Sequence, residues 1–180
     1  MADSKPNLKL VVICGAVLSG LVAILVLALL AQATRNPLQN CGLNLTADKS
    51  SYSVGDSILF TVVITPDRER SVKLNEQMEK NIVIAPLRHS LRQEPSQGRG
   101  AVRKFEMAPG LPLTIQVAGT VKPAKQTGWV LADFGGHGRV EAKIGESFEF
   151  GASAYPADLS AMDSGEGPYS NTLTVRFKEK

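Results

Sequence analysis

The chain opens on an unbroken apolar block and then changes to alternation. From Leu10 to Thr34 no residue is charged, and Lys9 and Arg35 close the block at its two ends. At a rise of about 1.5 Å per residue this run makes a helix roughly 37 Å long, enough to cross a hydrocarbon core of about 30 Å with some tilt. Residues 10–34 are therefore expected to form one transmembrane helix, preceded by a tail over 1–9. The competing reading is a cleaved signal peptide, since Ala31-Gln32-Ala33 has the small-x-small form of a cleavage site. Apolar cores of signal peptides run to about 7–15 residues, and this block is much longer, so a retained anchor is expected. A lipoprotein does not fit, because the bulky Ile13 stands where a small residue is wanted before Cys14.

A short stalk is expected over Arg35–Cys41, which contains Pro37, and the outer domain over 42–180. Within it Ile58, Phe60, Val62 and Ile64 alternate with Leu59, Thr61, Val63 and Thr65, a strand by period and β-branched content that Pro66 ends. Its second face is partly apolar, which suits a central strand. Tyr52-Ser53-Val54-Gly55-Asp56 reads as the turn before it. Further strands are expected at Leu43–Ala47, Asn81–Leu87, Val102–Met107, Leu113–Val121, Gly128–Phe134, Val140–Ile144, Ser147–Phe150 and Thr172–Lys178. Only Leu74–Lys80 hints at a helical turn. Many short strands without amphipathic helices predict an all-β fold, an antiparallel β-sandwich behind one N-terminal helix.

The pattern Tyr52-x-Val54-Gly55-Asp56-x-Ile58-x-Phe60-x-Val62, with Tyr169-Ser170-Asn171-x-Leu173-x-Val175 leading into a last strand, resembles bacterial immunoglobulin-like domains. The resemblance implies an immunoglobulin-like sandwich from Leu43 to Lys178. The antibody-type disulfide is absent, since no cysteine follows Cys41. One helix followed by an outer β-domain also resembles the single-helix accessory subunits of some bacterial photosynthetic reaction-centre complexes. That likeness implies a structural subunit, because the helix holds no histidine for a chlorophyll.

Charge decides which partners to expect. A net charge of +3 is too small to suggest nucleic acid. Lys5 and Lys9 precede the apolar block and only Arg35 follows it closely, so the positive-inside rule favours a cytoplasmic N-terminus, with the outer domain periplasmic or extracellular on an inner membrane. Cys14 within the span and Cys41 beyond it cannot pair within one molecule, so Cys41 is either buried as a small apolar residue, which is the expected state, or bonded to another chain or modified.

Candidate chemistry is sparse. His89 and His137 are the only histidines, neither with a second ligand at metal spacing, so both read as surface-loop residues and no metal or cofactor is expected. Some membrane-anchored copper-delivery proteins share the layout, but they carry a Cys-x-Cys pair or a methionine and histidine cluster, whereas Met78, Met107 and Met162 are scattered. Asp133-Phe134-Gly135 reproduces three letters of a kinase motif without its other parts, and reads as a strand end and turn. Gly145-Glu146 reads as a strand-initiating turn, not a nucleophile elbow. Asn44-Leu45-Thr46 is a glycosylation sequon, relevant only in a eukaryotic secretory route. No enzyme is expected.

Three surfaces remain. Arg88, Arg92, Arg99, Arg103 and Lys104 face a single acid, Glu94, over a Pro- and Gly-containing stretch that reads as a basic loop for an acidic partner or anionic headgroups. Glu141–Glu166 holds six acids against Lys143, and the irregular stretch Gly151–Asn171 offers Tyr155 and Tyr169 as interface anchors. In the apolar block, Gly15, Ser19 and Ala23 recur every four residues beside Ala16 and Gly20, a face on which another helix packs closely. The expected function is a non-catalytic accessory or assembly subunit of a larger membrane complex, photosynthetic or respiratory. The alternative is a self-standing, membrane-anchored binding module for a peptide, protein or small ligand.

Overall fold

The computed structural model describes residues 20–27, 37–86, 100–157 and 167–179. The chain divides into two units, Met1–Arg35 and Asn36–Lys180. Within the first, residues 20–27 are helical and all of them are exposed, with Leu21, Ile24, Leu25 and Leu27 at 62–65%. Gly20 and Ala23 lie on this stretch; Gly15, Ala16, Ser19 and the rest of the span expected over 10–34 lie outside the described residues. Among the described residues no helix is long and apolar enough to cross a membrane.

The second unit is an all-β sandwich. Its strands are β1 (Gly42–Ala47), β2 (Ser51–Ser53), β3 (Ser57–Thr65), β4 (Arg70–Asn75), β5 (Ile82–Pro86), β6 (Val102–Met107), β7 (Leu113–Pro123), β8 (Trp129–Asp133), β9 (Arg139–Lys143), β10 (Ser147–Ala154) and β11 (Leu173–Lys178). One sheet has the order β1-β3-β7-β8-β9, the other β2-β11-β10-β5, and β4 pairs with β6 as a separate two-stranded ribbon. Every pairing between neighbouring strands is antiparallel except β2 with β11. The alternation in β3 works as expected: Ile58, Phe60, Val62 and Ile64 are fully buried, and the strand is central, between β1 and β7.

The core lies between the sheets. Phe60 and Phe134 from one side meet Phe150 and Phe177 from the other, with Phe60 and Phe150 ring centroids 5.2 Å apart at 71°. Edge-to-face rings of this kind add about 0.5–1.5 kcal/mol beyond area burial. Asn171 joins the sheets at an edge: it accepts from the Leu45 N–H at 2.6 Å and donates to the Leu45 carbonyl at 3.1 Å. One side-chain amide thus satisfies both backbone groups that edge strand β1 presents there.

Two expectations need correction. Residues 37–41 are no stalk, because Leu38 is fully buried in the core, Cys41 is 6% exposed, and the Cys41 N–H closes a turn on the Leu38 carbonyl at 2.9 Å; Arg35 and Asn36 lie outside the described residues. Leu38 gains more from the core than from solvent, so Pro37 starts a turn rather than a spacer. The helical turn hinted at over Leu74–Lys80 is a short 3-10 turn over Met78–Asn81, and Leu74 belongs to β4. Cys41 is buried as expected, and burial pushes its thiol up against the opposing charge of Arg70.

Tyr52, expected in a turn, is buried in β2, with the turn closing immediately after it through Asp56 N–H and the Ser53 carbonyl. Its hydroxyl donates to Asp48 Oδ1 at 2.7 Å, and the Leu59 N–H donates to the same oxygen at 2.9 Å. Those two bonds hold the Asp48 carboxyl below its ordinary range, the tyrosine bond first. Burial, then the Asp48 hydrogen bond, push the Tyr52 phenol far above its ordinary value of 10.0. A raised folded-state pKa leaves stability intact below about pH 10 and loses it as the unfolded chain ionises while the native phenol does not. Urea midpoints should therefore fall with rising pH above about 10 in the wild type. In Tyr52→Phe that fall should be shallower, from a starting stability lower by about 1–2 kcal/mol; parallel alkaline slopes in the two proteins would remove Tyr52 as the cause.

Candidate functional site

Among the described residues the ribbon is the one β element outside the two sheets, and its sequence explains its two faces. In β4, Val72 and Leu74 are buried while Ser71 and Lys73 are exposed, a period of two in a six-residue strand. In β6, Val102, Arg103, Lys104 and Glu106 are exposed, Phe105 is half-buried and Met107 is buried. The register sets Val72 opposite Phe105, Lys73 opposite Lys104 and Ser71 opposite Glu106. Side chains alternate across a strand, so Ser71, Lys73, Val102, Lys104 and Glu106 share the outer face.

That face is electrostatically uneven. Lys73 and Lys104 stand directly across the pair, an arrangement of like charges that disfavours pairing. Lys104 Nζ lies 2.8 Å from Glu106 Oε1, and this contact, then the Ser71 hydroxyl, hold the Glu106 carboxyl below its ordinary value. Arg103, on the opposite face yet also exposed, stacks its guanidinium 5.9 Å from the Phe105 ring centroid.

Buried polar groups fix the ribbon to the sandwich. Asn81, 2% exposed, accepts from the Asn75 backbone N–H at 3.1 Å and its side-chain amide at 3.2 Å, and donates to the Met78 carbonyl at 3.0 Å. Its own carbonyl takes the Tyr155 N–H at 2.9 Å, and the Ala157 N–H donates to the Lys73 carbonyl at 2.8 Å. The segment leaving β10 therefore runs along the far edge of β4. At the other end Arg70 donates to the Pro37 carbonyl and pairs with Asp67.

The expected partner-binding residues distribute unevenly over this structure. Arg103 and Lys104 are exposed on β6, the strand expected over Val102–Met107, so the C-terminal end of the basic stretch is a strand edge paired with β4. Arg88, Arg92 and Arg99 lie outside the described residues. Tyr155 is half-buried against Gly167, and Tyr169 is 64% exposed beside the bridge to Ser153. The acids expected together are dispersed: Glu141 sits on β9, Glu146 pairs with Lys143 at 2.8 Å, Glu149 is on β10, and Asp158, Asp163 and Glu166 lie outside the described residues. His137 is half-buried, not a plain surface residue, and its Nδ1 is 3.3 Å from the Ile82 carbonyl on β5; His89 lies outside the described residues. Asp133-Phe134-Gly135 is a strand end and turn, as expected, with Asp133 held by Lys122 at 2.8 Å and Arg139 at 3.2 Å. Among the described residues no group of three or more potential metal ligands converges.

The sequence reading missed β4 and with it Lys73, Ser71 and the Asn75–Asn81 pair. The alternation of Val72 and Leu74 with Ser71 and Lys73 was the available signal.

No family model matches the chain, and no curated protein matches it. Among solved structures it is similar to a β-glucosidase from Erythrobacter marinus at 14% identity, over 77% of this chain and 15% of that one, with a TM-score of 0.32. A β-glucosidase from Listeria innocua matches at 10% identity over 77% of this chain and 16% of that one, also at a TM-score of 0.32. The chain thus spans about a sixth of those enzymes, and likenesses this low carry no argument about fold or activity.

Proposed function

We propose that the chain is a non-catalytic accessory subunit of a larger membrane complex, anchored by one helix over 10–34 and holding an acidic partner through the outer β-domain. The observation that carries this reading is the ribbon, a β element outside both sheets that turns Lys73, Arg103 and Lys104 to solvent from a rigid, hydrogen-bonded base. Charges fixed on strands lose less entropy on docking than charges on a loop. The anchor is supported by the exposed run of bulky aliphatics over 21–27 in the first unit, for which lipid is the natural solvent. An immunoglobulin-like class is supported by the passage of the opening strand from one sheet (β1) to the other (β2) and by the parallel pairing of β2 with the last strand.

Extraction of the full chain from its native membrane in mild detergent, followed by mass spectrometry of what co-elutes, tests the proposal. Stable partners should co-elute with the wild type and loosen with salt, since screening weakens exposed charge contacts. Arg103→Glu with Lys104→Glu should release them, and Lys104→Arg should not. A chain that elutes alone in every extraction would overturn the subunit reading.

A further inference from the structure

Backbone direction along β6 decides what the ribbon offers a partner. In an antiparallel pair, facing residues alternate between those that exchange both backbone hydrogen bonds and those that exchange none. The Glu76 N–H donates to the Ala101 carbonyl at 2.8 Å, so the bonded pairs fall at Glu76–Ala101 and every second position after it: Leu74–Arg103, Val72–Phe105 and Arg70–Met107. The other parity on β4 points away from β6, as the bonds from Asn75 N–H to Asn81 and from Ala157 N–H to the Lys73 carbonyl require. By the same count the N–H and C=O groups of Val102, Lys104 and Glu106 point to the outer edge of β6. Among the described residues no strand lies against that edge.

We infer that this edge of β6 is a strand-addition site that takes an extended acidic peptide segment of a partner protein, in deepening of the proposal above and resting on its acidic partner. The partner's backbone pairs with the N–H and C=O groups of Val102, Lys104 and Glu106, and its carboxylates lie opposite Arg103 and Lys104. Backbone pairing supplies affinity without sequence preference, and the two cations supply the preference for acids. A second copy of the chain fits poorly. Antiparallel self-pairing centred on Lys104 sets Lys104 against Lys104, and like charges directly opposite disfavour pairing. Edge lysines commonly guard a sheet in this way against its own kind; the same charge admits a strand of opposite sign.

Proline separates strand addition from charge docking, because at Val102 or Glu106 it deletes an outward N–H and leaves the ladder to β4 intact. The full chain in detergent is titrated with a short synthetic peptide of threonine and valine carrying two central glutamates. Amide exchange should slow at Val102, Lys104 and Glu106 and change little at Arg103, Phe105 and Met107. The Val102→Pro, Glu106→Pro double variant should bind about ten-fold more weakly, the loss of two net hydrogen bonds, while Val102→Ala binds as the wild type. Peptide binding that Lys104→Glu abolishes, with unchanged edge amides and unaffected proline variants, would leave charge docking standing and overturn strand addition. Absence of peptide binding, binding only to phosphatidylglycerol vesicles, or concentration-dependent protection of the edge amides without peptide would overturn it as well. If the proline variant fails to fold, wild-type amide exchange alone decides.

Discussion

Phe150→Ala should lower the stability of the β-domain by about 3–5 kcal/mol, the range for a buried aromatic truncated in a packed core. Phe150 is fully buried, and its ring is the one that all the others approach: Phe60 at 5.2 Å, Phe134 at 6.0 Å, Phe177 at 6.5 Å and Phe148 at 5.0 Å. Phe60 and Phe134 come from the five-stranded side and Phe177 from the four-stranded side, so truncation opens a void at the seam that neither sheet alone can close. A domain with about 5–15 kcal/mol in hand loses a large share of it, and the melting temperature should drop on the order of 10 °C. Phe148 is the control, half-buried at the margin of the same cluster, and Phe148→Ala should cost much less. Urea or thermal unfolding of both variants decides. Equal, small losses would mean that the sheets are not held at Phe150. The ribbon should loosen with the core, because the segment leaving β10 after Ala154 carries Tyr155 and Ala157, whose N–H groups bond to the Asn81 and Lys73 carbonyls.

What the sequence revealed of this fold depended on whether a strand carries its own signature. β3 was legible because four inward residues alternate without a break, and β1, β7 and β11 because apolar residues recur at the same period, Leu43 and Leu45, Ile115 and Val117, and Val175 and Phe177. β10 was read only to Phe150, since Gly151, Ala152, Ser153 and Ala154 have weak strand preference; they extend because small residues fit against Ile84 and Ile82 of β5. β2 is three residues long and is a strand only through its pairing with β11. Leu38 lies beside a proline and no local pattern marks it as core.

The candidate site was half legible for the same reason. Arg103 and Lys104 stood out by charge and Val102–Met107 by strand content, but the face they present depends on a partner strand some thirty residues away in sequence, whose register no local pattern contains. Charge composition locates an interface more readily than it locates its geometry. The basic stretch expected as a loop ends in an ordered strand edge, which changes the expected contact from diffuse attraction to a directional one with a defined set of donors.

Gly119→Ala should destabilise the domain by about 1–3 kcal/mol, the cost of overpacking a filled core, although alanine is ordinarily the better residue in a strand. Gly119 lies on β7 opposite Ile58, in the same inward row as Val117 and Val121. Phe134 fills the place where its side chain would be: an added Cβ stands 2.5 Å from Phe134 Cδ1, 2.8 Å from Cε1 and 3.1 Å from the Asp133 carbonyl oxygen. The ring has little room to yield, being 1% exposed and 4.9 Å from Phe60 and 6.0 Å from Phe150. Phe134 also begins the turn that carries His137 to the Ile82 carbonyl. Gly42 on β1 is the contrast, since a Cβ there meets nothing nearer than 3.7 Å, and Gly42→Ala should stay within about 0.5 kcal/mol of the wild type. Adding Phe134→Leu to Gly119→Ala should cost less than the two single losses combined, because the smaller side chain vacates the space the methyl needs. Strictly additive losses in that double-mutant cycle would mean that the glycine and the ring do not compete for the same volume.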